Sequence, residues 1–166
     1  TSGTGAATAQ TFGAITVNAD TGGTKTLNFV GSNSVTTAVI TAGIVDASGL
    51  TGTATFTNVG ATVGVTSLTG TANNDTLVGS ATATTINGGA GNDMITGGAG
   101  ADTINGGDGN DTIASTAGAD IISGGAGNDI INVNAANLTV TGGDGNDQVI
   151  ATAALTALGA SVGGGT

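Results

Sequence analysis

GGAGNDMITGGAGADTINGGDGNDTIA, residues 88–114, is three nonapeptides in one frame. Each opens on two glycines, carries Asp at its sixth position (Asp93, Asp102, Asp111) and a large aliphatic at its eighth (Ile95, Ile104, Ile113). In the same frame, GGAGNDIIN (124–132) and GGDGNDQVI (142–150) complete the pattern again. GTANNDTLV (70–78) and STAGADIIS (115–123) have lost glycines but keep Asp75 and Asp120. GSATATTIN (79–87) and VNAANLTVT (133–141) keep only the aliphatic, with Thr84 and Leu138 at the aspartate position. The frame does not slip from residue 70 to 150.

A step of nine from Leu50 lands on Val59, Leu68, Leu77, Ile86, Ile95, Ile104, Ile113, Ile122, Ile131, Val140, Val149 and Leu158. Leu, Ile, Val and Phe make only 35 of the 166 residues, so an unbroken aliphatic series is not chance. Neither a helical period nor a simple alternation explains it. Nine residues make one short strand and one tight turn, and two such units return the chain to its start. The expected fold is therefore all-β: a parallel β-solenoid with eighteen residues per coil and its aliphatic ladder divided between two stacked rows. One row runs through Leu50, Leu68, Ile86, Ile104, Ile122, Val140 and Leu158, the other through Val59, Leu77, Ile95, Ile113, Ile131 and Val149.

Composition narrows the chemistry. The chain has no Pro, Cys, His, Trp, Tyr or Glu, and its charge of −10 comes from eleven Asp against one Lys, Lys25. Most nucleophile–base and acid–base pairs cannot be assembled from such residues, so an enzyme is not expected. Zinc, haem and iron–sulfur sites lack their N or S ligands. The charge argues against nucleic acid or an anionic membrane face as partner, and no apolar run is long enough to insert in a bilayer. What remains is a hard, oxygen-seeking cation.

The five complete GGxGxDxUx copies (U, a large aliphatic) resemble the RTX (repeats-in-toxin) family, whose calcium-binding parallel β-roll is built from this nonapeptide. The resemblance covers about half of the chain. It implies calcium ions between turns of neighbouring coils, held by the carboxylates of Asp75, Asp93, Asp102, Asp111, Asp120, Asp129 and Asp147. It further implies backbone carbonyl ligands near Gly89, Gly91, Gly98, Gly100, Gly107, Gly109, Gly125, Gly127, Gly143 and Gly145. Coordination chemistry agrees, because calcium takes six to eight oxygens and two carboxylates cannot supply them. Good turn chemistry alone explains Gly, Asn and Asp in turns. It does not explain why seven of eleven Asp occupy one motif position, stacked where like charges repel.

Partners in one site are expected eighteen residues apart, on adjacent coils along one edge. Asp75, Asp93, Asp111, Asp129 and Asp147 form one file with four inter-coil sites, the first weakened by Thr71 and Asn73 in place of glycines. The other edge reads Thr84, Asp102, Asp120, Leu138 and offers one complete pair, so about five Ca2+ sites are expected. Asp108 and Asp144, at the variable third position, read as solvated turn residues.

Before Leu50 the period lapses. FGAITVN (12–18), KTLNFVG (25–31) and VTTAVIT (35–41) read as strands, and Ser48, Thr57 and Thr66 stand at the aspartate position of calcium-free coils. Lys25, Met94 and the three Phe read as surface or local packing residues. The expected organisation is an irregular β region or cap over 1–49, calcium-free solenoid over 50–69, the calcium-binding roll over 70–150, and the end of the solenoid over 151–166 within a longer chain. The Thr/Ala/Gly-rich flank is similar to bacterial surface-layer proteins of the RTX type. That implies a secreted, cell-surface structural protein, exported by type I secretion and assembling with itself into a lattice or filament. Missing flanks could bind cell-surface polysaccharide. The alternative is the calcium-folding module of a larger exported enzyme, toxin or adhesin.

Overall fold

A computed structural model describes residues 10–12, 26–32, 34–37, 43–56, 65–134 and 138–151. Their regular structure is all strand: β1 (Gln10–Phe12), β2 (Thr26–Gly31), β3 (Val35–Thr37), β4 (Ile44–Leu50), β5 (Ala54–Phe56), β6 (Ser67–Thr69), β7 (Thr76–Val78), β8 (Thr85–Ala90), β9 (Met94–Thr96), β10 (Thr103–Asp108), β11 (Thr112–Ser115), β12 (Ile121–Ala126), β13 (Ile130–Val133), β14 (Thr139–Asp144) and β15 (Gln148–Ala151). Odd-numbered strands form one sheet and even-numbered strands the other, each in sequence order, and every pairing is parallel. The chain thus alternates between two sheets as it climbs, which is the expected parallel β-solenoid.

From Ser67 to Ala151 the register is eighteen residues throughout. Leu68, Ile86, Ile104, Ile122 and Val140 stack in one row. Leu77, Ile95, Ile113, Ile131 and Val149 stack in the other. All but Val149 are buried, and their neighbours in each strand face outward. Each such side chain contributes on the order of 1.5–3 kcal/mol of burial. From Ser67 to Ile150 the outward neighbours of the two core rows are Thr, Ser, Asn, Gln, Ala, Val, Ile or Met, and the charges on the described strands of this stretch are Asp108 and Asp144, exposed at the ends of β10 and β14.

Below Ser67 coil length varies, from the eighteen-residue step of Thr26 to Ile44 to longer steps such as Ile44 to Ser67, and the ladder differs from the step of nine. Leu68 lies beside Val45 rather than Leu50, and Leu77 lies beside Phe56. Leu50 is buried, but at the end of β4 beside Gly31. The reason is that these turns lack the nonapeptide. Nothing holds them at six residues, and loop closure costs little for a few more. Phe56 is accordingly a full member of the core, completely buried with its ring 5.7 Å from that of Phe29, rather than a local packing residue. KTLNFVG contains β2, and VTTAVIT opens with β3. Val59, Leu158, Thr57, Lys25 and residues 13–18, 38–41 and 152–166 lie outside the described residues.

Candidate metal centre

The turns stack on two edges. On the five-Asp edge the even strands run directly into the turn, so Gly89, Gly107, Gly125 and Gly143 are still paired in sheet register as each turn begins. This pins every turn to the next at a strand spacing of about 4.8 Å. Consecutive aspartates are then linked without any cation. The backbone N–H of Asp75 donates to Oδ1 of Asp93 at 2.8 Å, Asp93 to Asp111 at 2.8 Å, Asp111 to Asp129 at 2.8 Å and Asp129 to Asp147 at 3.0 Å. The structure therefore brings together the eighteen-residue pairs read from the sequence.

The second carboxylate oxygen is different. Oδ2 of Asp93, Asp111, Asp129 and Asp147 is buried and accepts no hydrogen bond, and so is Oδ2 of Asp102 on the other edge. An unpartnered buried carboxylate oxygen is costly. Each faces the first glycine of its own nonapeptide. A Cβ built on Gly106 would lie 2.2 Å from Asp111 Oδ2 and 2.4 Å from the carbonyl oxygen of Gly124 on the next coil. Gly88 is flanked in the same way by Asp93 Oδ2 and Gly106 O, and Gly124 by Asp129 Oδ2 and Gly142 O. Anionic and carbonyl acceptors thus crowd a space cleared by glycine. The second glycine is fixed by its backbone: Gly107 has φ 116°, and a Cβ there would strike the carbonyl oxygen of Gly89. Among the described residues no three carboxylates converge, so a cation here draws on paired Asp and on backbone oxygens. An all-oxygen, partly anionic donor set fits calcium.

Electrostatics agree. Burial raises Asp93 to about 7, against the bond from the Asp75 N–H, with the carboxylates of Asp75 and Asp111 adding to the rise. Burial takes Asp102 to about 6, opposed by the bond from the Thr84 N–H and assisted by the charge of Asp120. Burial also raises Asp75, Asp111 and Asp129. Without a counter-charge, these five carboxylates resist ionisation.

Protein groups replace that counter-charge at the margins. Asp75 heads the file, yet its Oδ2 accepts from Thr71 N–H at 2.5 Å and its Oδ1 from Ala54 N–H at 2.5 Å and Thr71 Oγ1 at 3.0 Å. Ala54 thus meets Asp75 from the coil below; Thr57 lies outside the described residues. On the two-Asp edge, Asp102 N–H donates to Asp120 Oδ1 at 2.9 Å, as on the other edge. Oδ2 of Asp120, however, accepts from the hydroxyl of Ser115, which replaces the first glycine of that unit. Below this pair, Thr84 Oγ1 donates to Thr82 O at 2.9 Å or Val65 O at 3.0 Å, and Ser80 Oγ lies 3.0 Å away. Above it, Leu138 is buried with Val133. Asp108 and Asp144 are solvent-exposed.

One file of residues escaped the sequence reading. Asn74, Asn92, Asn110, Asn128 and Asn146, at motif position five, form a continuous ladder: Oδ1 of each of the first four accepts the backbone N–H of the next, at 2.6–2.8 Å. The signal was five Asn at eighteen-residue steps, with Ala83, Ala101, Ala119 and Asn137 at the same position on the other edge.

The family described as RTX calcium-binding nonapeptide repeat (4 copies) matches residues 64–83, 69–104, 78–113, 105–137, 114–149 and 139–153. Together these cover 64–153, more than half of the chain. No curated protein and no solved structure matches. With its repeats in unbroken eighteen-residue register and its aspartates filed along the turns, the chain belongs to the RTX calcium-binding family and folds as an RTX β-roll.

Proposed function

We propose that the roll is the calcium-dependent stiffening element of a secreted structural protein that assembles with itself into a surface layer or an extracellular fibre. The observation that carries the calcium role is the row of buried, unpartnered Oδ2 atoms at Asp93, Asp111, Asp129 and Asp147. These carboxylates repel one another and keep the glycine-rich turns from ordering until a divalent cation joins them. RTX repeats are typical of type I-secreted extracellular proteins. Extracellular calcium modules bind at roughly 10⁻⁴–10⁻³ M, so the chain would stay open inside a cell and fold outside it.

Assembly is supported by the uncharged residues that flank the core rows on both sheets and by the exposed Met94, Ile121, Ile130 and Ile150 among them. Calcium also removes the net repulsion between acidic subunits. Light scattering and electron microscopy of the full chain with its natural flanks test this. Association should rise with calcium through the folding range, and sodium at equal ionic strength should not replace it. A folded, calcium-loaded sample that stays monomeric at high concentration overturns the structural role. The calcium-folding module of a larger exported enzyme, toxin or adhesin then becomes the better description, and an upstream catalytic or pore-forming domain in the full gene would identify it.

A further inference from the structure

The asparagine ladder has no evident purpose in the core. Asn74, Asn92, Asn110, Asn128 and Asn146 are exposed and occupy a motif position where the other edge has Ala83, Ala101 and Ala119, with Asn137 in the unit that has lost its aspartate to Leu138. Their bonds run opposite to those of the aspartates beside them. The N–H of Asn110 donates to the coil below (Asn92 Oδ1), whereas the N–H of Asp111 donates to the coil above (Asp129 Oδ1).

A trans peptide is planar, with its C=O antiparallel to its N–H. Holding the Asn110 N–H against Asn92 therefore turns the carbonyl of Gly109 toward the next coil. The structure shows that direction: a Cβ on Gly127 would lie 2.1 Å from Gly109 O, and one on Gly109 would lie 2.1 Å from Gly91 O. On the two-Asp edge Gly100 O points the same way, toward Gly118. There, however, Ala101 and Ala119 offer no side-chain oxygen to hold the peptide plane.

We infer that Asn74, Asn92, Asn110 and Asn128 are positioning residues for the calcium sites of the five-Asp edge. Each locks the peptide plane of the following turn, and with it the carbonyl oxygens of Gly91, Gly109, Gly127 and Gly145 in turn. The inference rests on calcium occupying this edge. It makes the ladder a device for presenting backbone oxygens to the ion, and it explains why Asn recurs where the turn itself tolerates Ala.

The test is calcium titration of the full chain by calorimetry, together with terbium(III) luminescence lifetimes in H2O and D2O, which count water bound to the ion. Wild type comes first: no uptake of either ion overturns the calcium reading itself, separately from the ladder. Given uptake, Asn110→Ala should raise the calcium midpoint about two- to tenfold, the range for one lost hydrogen bond, and should shorten the terbium lifetime as water replaces a misaligned carbonyl. Asn110→Asp keeps the acceptor and should restore the wild-type lifetime. Ile113→Val, a core substitution of similar cost, should shift the midpoint and leave the lifetime unchanged. Should Asn110→Ala fail to fold, Ala101→Asn serves from the other side: a side-chain oxygen offered to the Ala119 N–H should tighten ion binding at the Asp102–Asp120 pair. The inference is overturned if Asn110→Ala leaves the lifetime at its wild-type value, or if Ala101→Asn leaves binding on its edge unchanged.

Discussion

The two edges of the roll share a register, a pair of core rows and a backbone path, yet they are closed by different chemistry. The five-Asp edge is held by two side-chain ladders, Asn pointing its acceptor up the axis and Asp down it, and it leaves an unpartnered oxygen at four successive levels. The two-Asp edge has one such oxygen, on Asp102. Its other levels are satisfied by hydroxyls around Thr84, by Ser115 against Asp120, and by the buried Leu138. A solenoid turn can thus be closed by a hydroxyl network or an apolar side chain, and this chain leaves four of its five unpartnered carboxylate oxygens on one side. Apart from the Asp102 level, the other edge closes through its own side chains.

The largest contrast should appear on removal of calcium. Chelation should abolish most of the strand signal of the roll in circular dichroism, and restored calcium should bring it back cooperatively. Unchanged spectra after complete chelation would falsify the view that the ion closes the five-Asp edge.

Next in size are substitutions that fill the cleared space. Gly106→Ala sets a methyl group within 2.2 Å of Asp111 Oδ2 and 2.4 Å of Gly124 O, both rigidly held. Gly97→Ala, its counterpart on the two-Asp edge, meets Asp102 Oδ2 at 2.8 Å and a movable Ile104 Cδ1 at 3.0 Å. Gly106→Ala should therefore lower calcium stoichiometry and thermal midpoint clearly more than Gly97→Ala. Equal losses would mean that both edges carry comparable sites.

A finer test removes one carboxylate from each edge. Asp111→Ala breaks the file at its centre and orphans the Asp93 N–H, at a cost of about 1–3 kcal/mol before any ion is counted. Asp120→Ala orphans the Asp102 N–H in the same way but touches only one aspartate pair. Calorimetric stoichiometry should fall further for Asp111→Ala.

Acid should act in opposite directions on the metal-free and metal-loaded roll. Asp93 titrates at about 7 and Asp102 at about 6 in the fold, against an ordinary value of 3.8. The folded state therefore binds these protons more tightly than the unfolded chain. Their contribution to stability is complete below pH 3.8 and is lost as pH rises through 6 and 7. In chelator, lowering the pH from about 7.5 to about 4.5 should restore strand signal, protons standing in for the cation. In calcium the same change should raise the calcium midpoint. A flat response in chelator would show that the file is not buried as charge.

The smallest effect expected is a gain. Ser115→Gly restores the motif glycine and frees Asp120 Oδ2, so it should tighten calcium binding at the Asp102–Asp120 pair, read as a change confined to one site in the calorimetric isotherm.

Much of this contrast was legible in the sequence, because a strict eighteen-residue repeat turns linear spacing into spatial adjacency. Positions of Asp75, Asp93, Asp111, Asp129 and Asp147, and the interruption at Thr84 and Leu138, could be placed on their edges without a structure. Less legible was any residue whose partner depends on side-chain direction. Ser115 read as a lost glycine, and only its hydroxyl on Asp120 shows that it compensates for what it displaces. The Asn file was visible as a repeat but not as a ladder, since nothing in the spacing says which N–H an amide oxygen will meet.

Sequence alone determined the period, the two core rows above Ser67 and the filing of aspartates, because each follows from counting along a chain whose coils are all of one length. Only the tertiary structure decided the coils below Ser67, where the nonapeptide is absent and coil length is free. There Val45 and Phe56 take the places that the step of nine assigns to Leu50 and Val59. The structure alone also decided which carboxylate oxygens remain without a donor. That outcome depends on peptide-plane orientation and on what each first motif position carries, glycine at Gly106 and hydroxyl at Ser115, and these meet the aspartate only once the turn has closed.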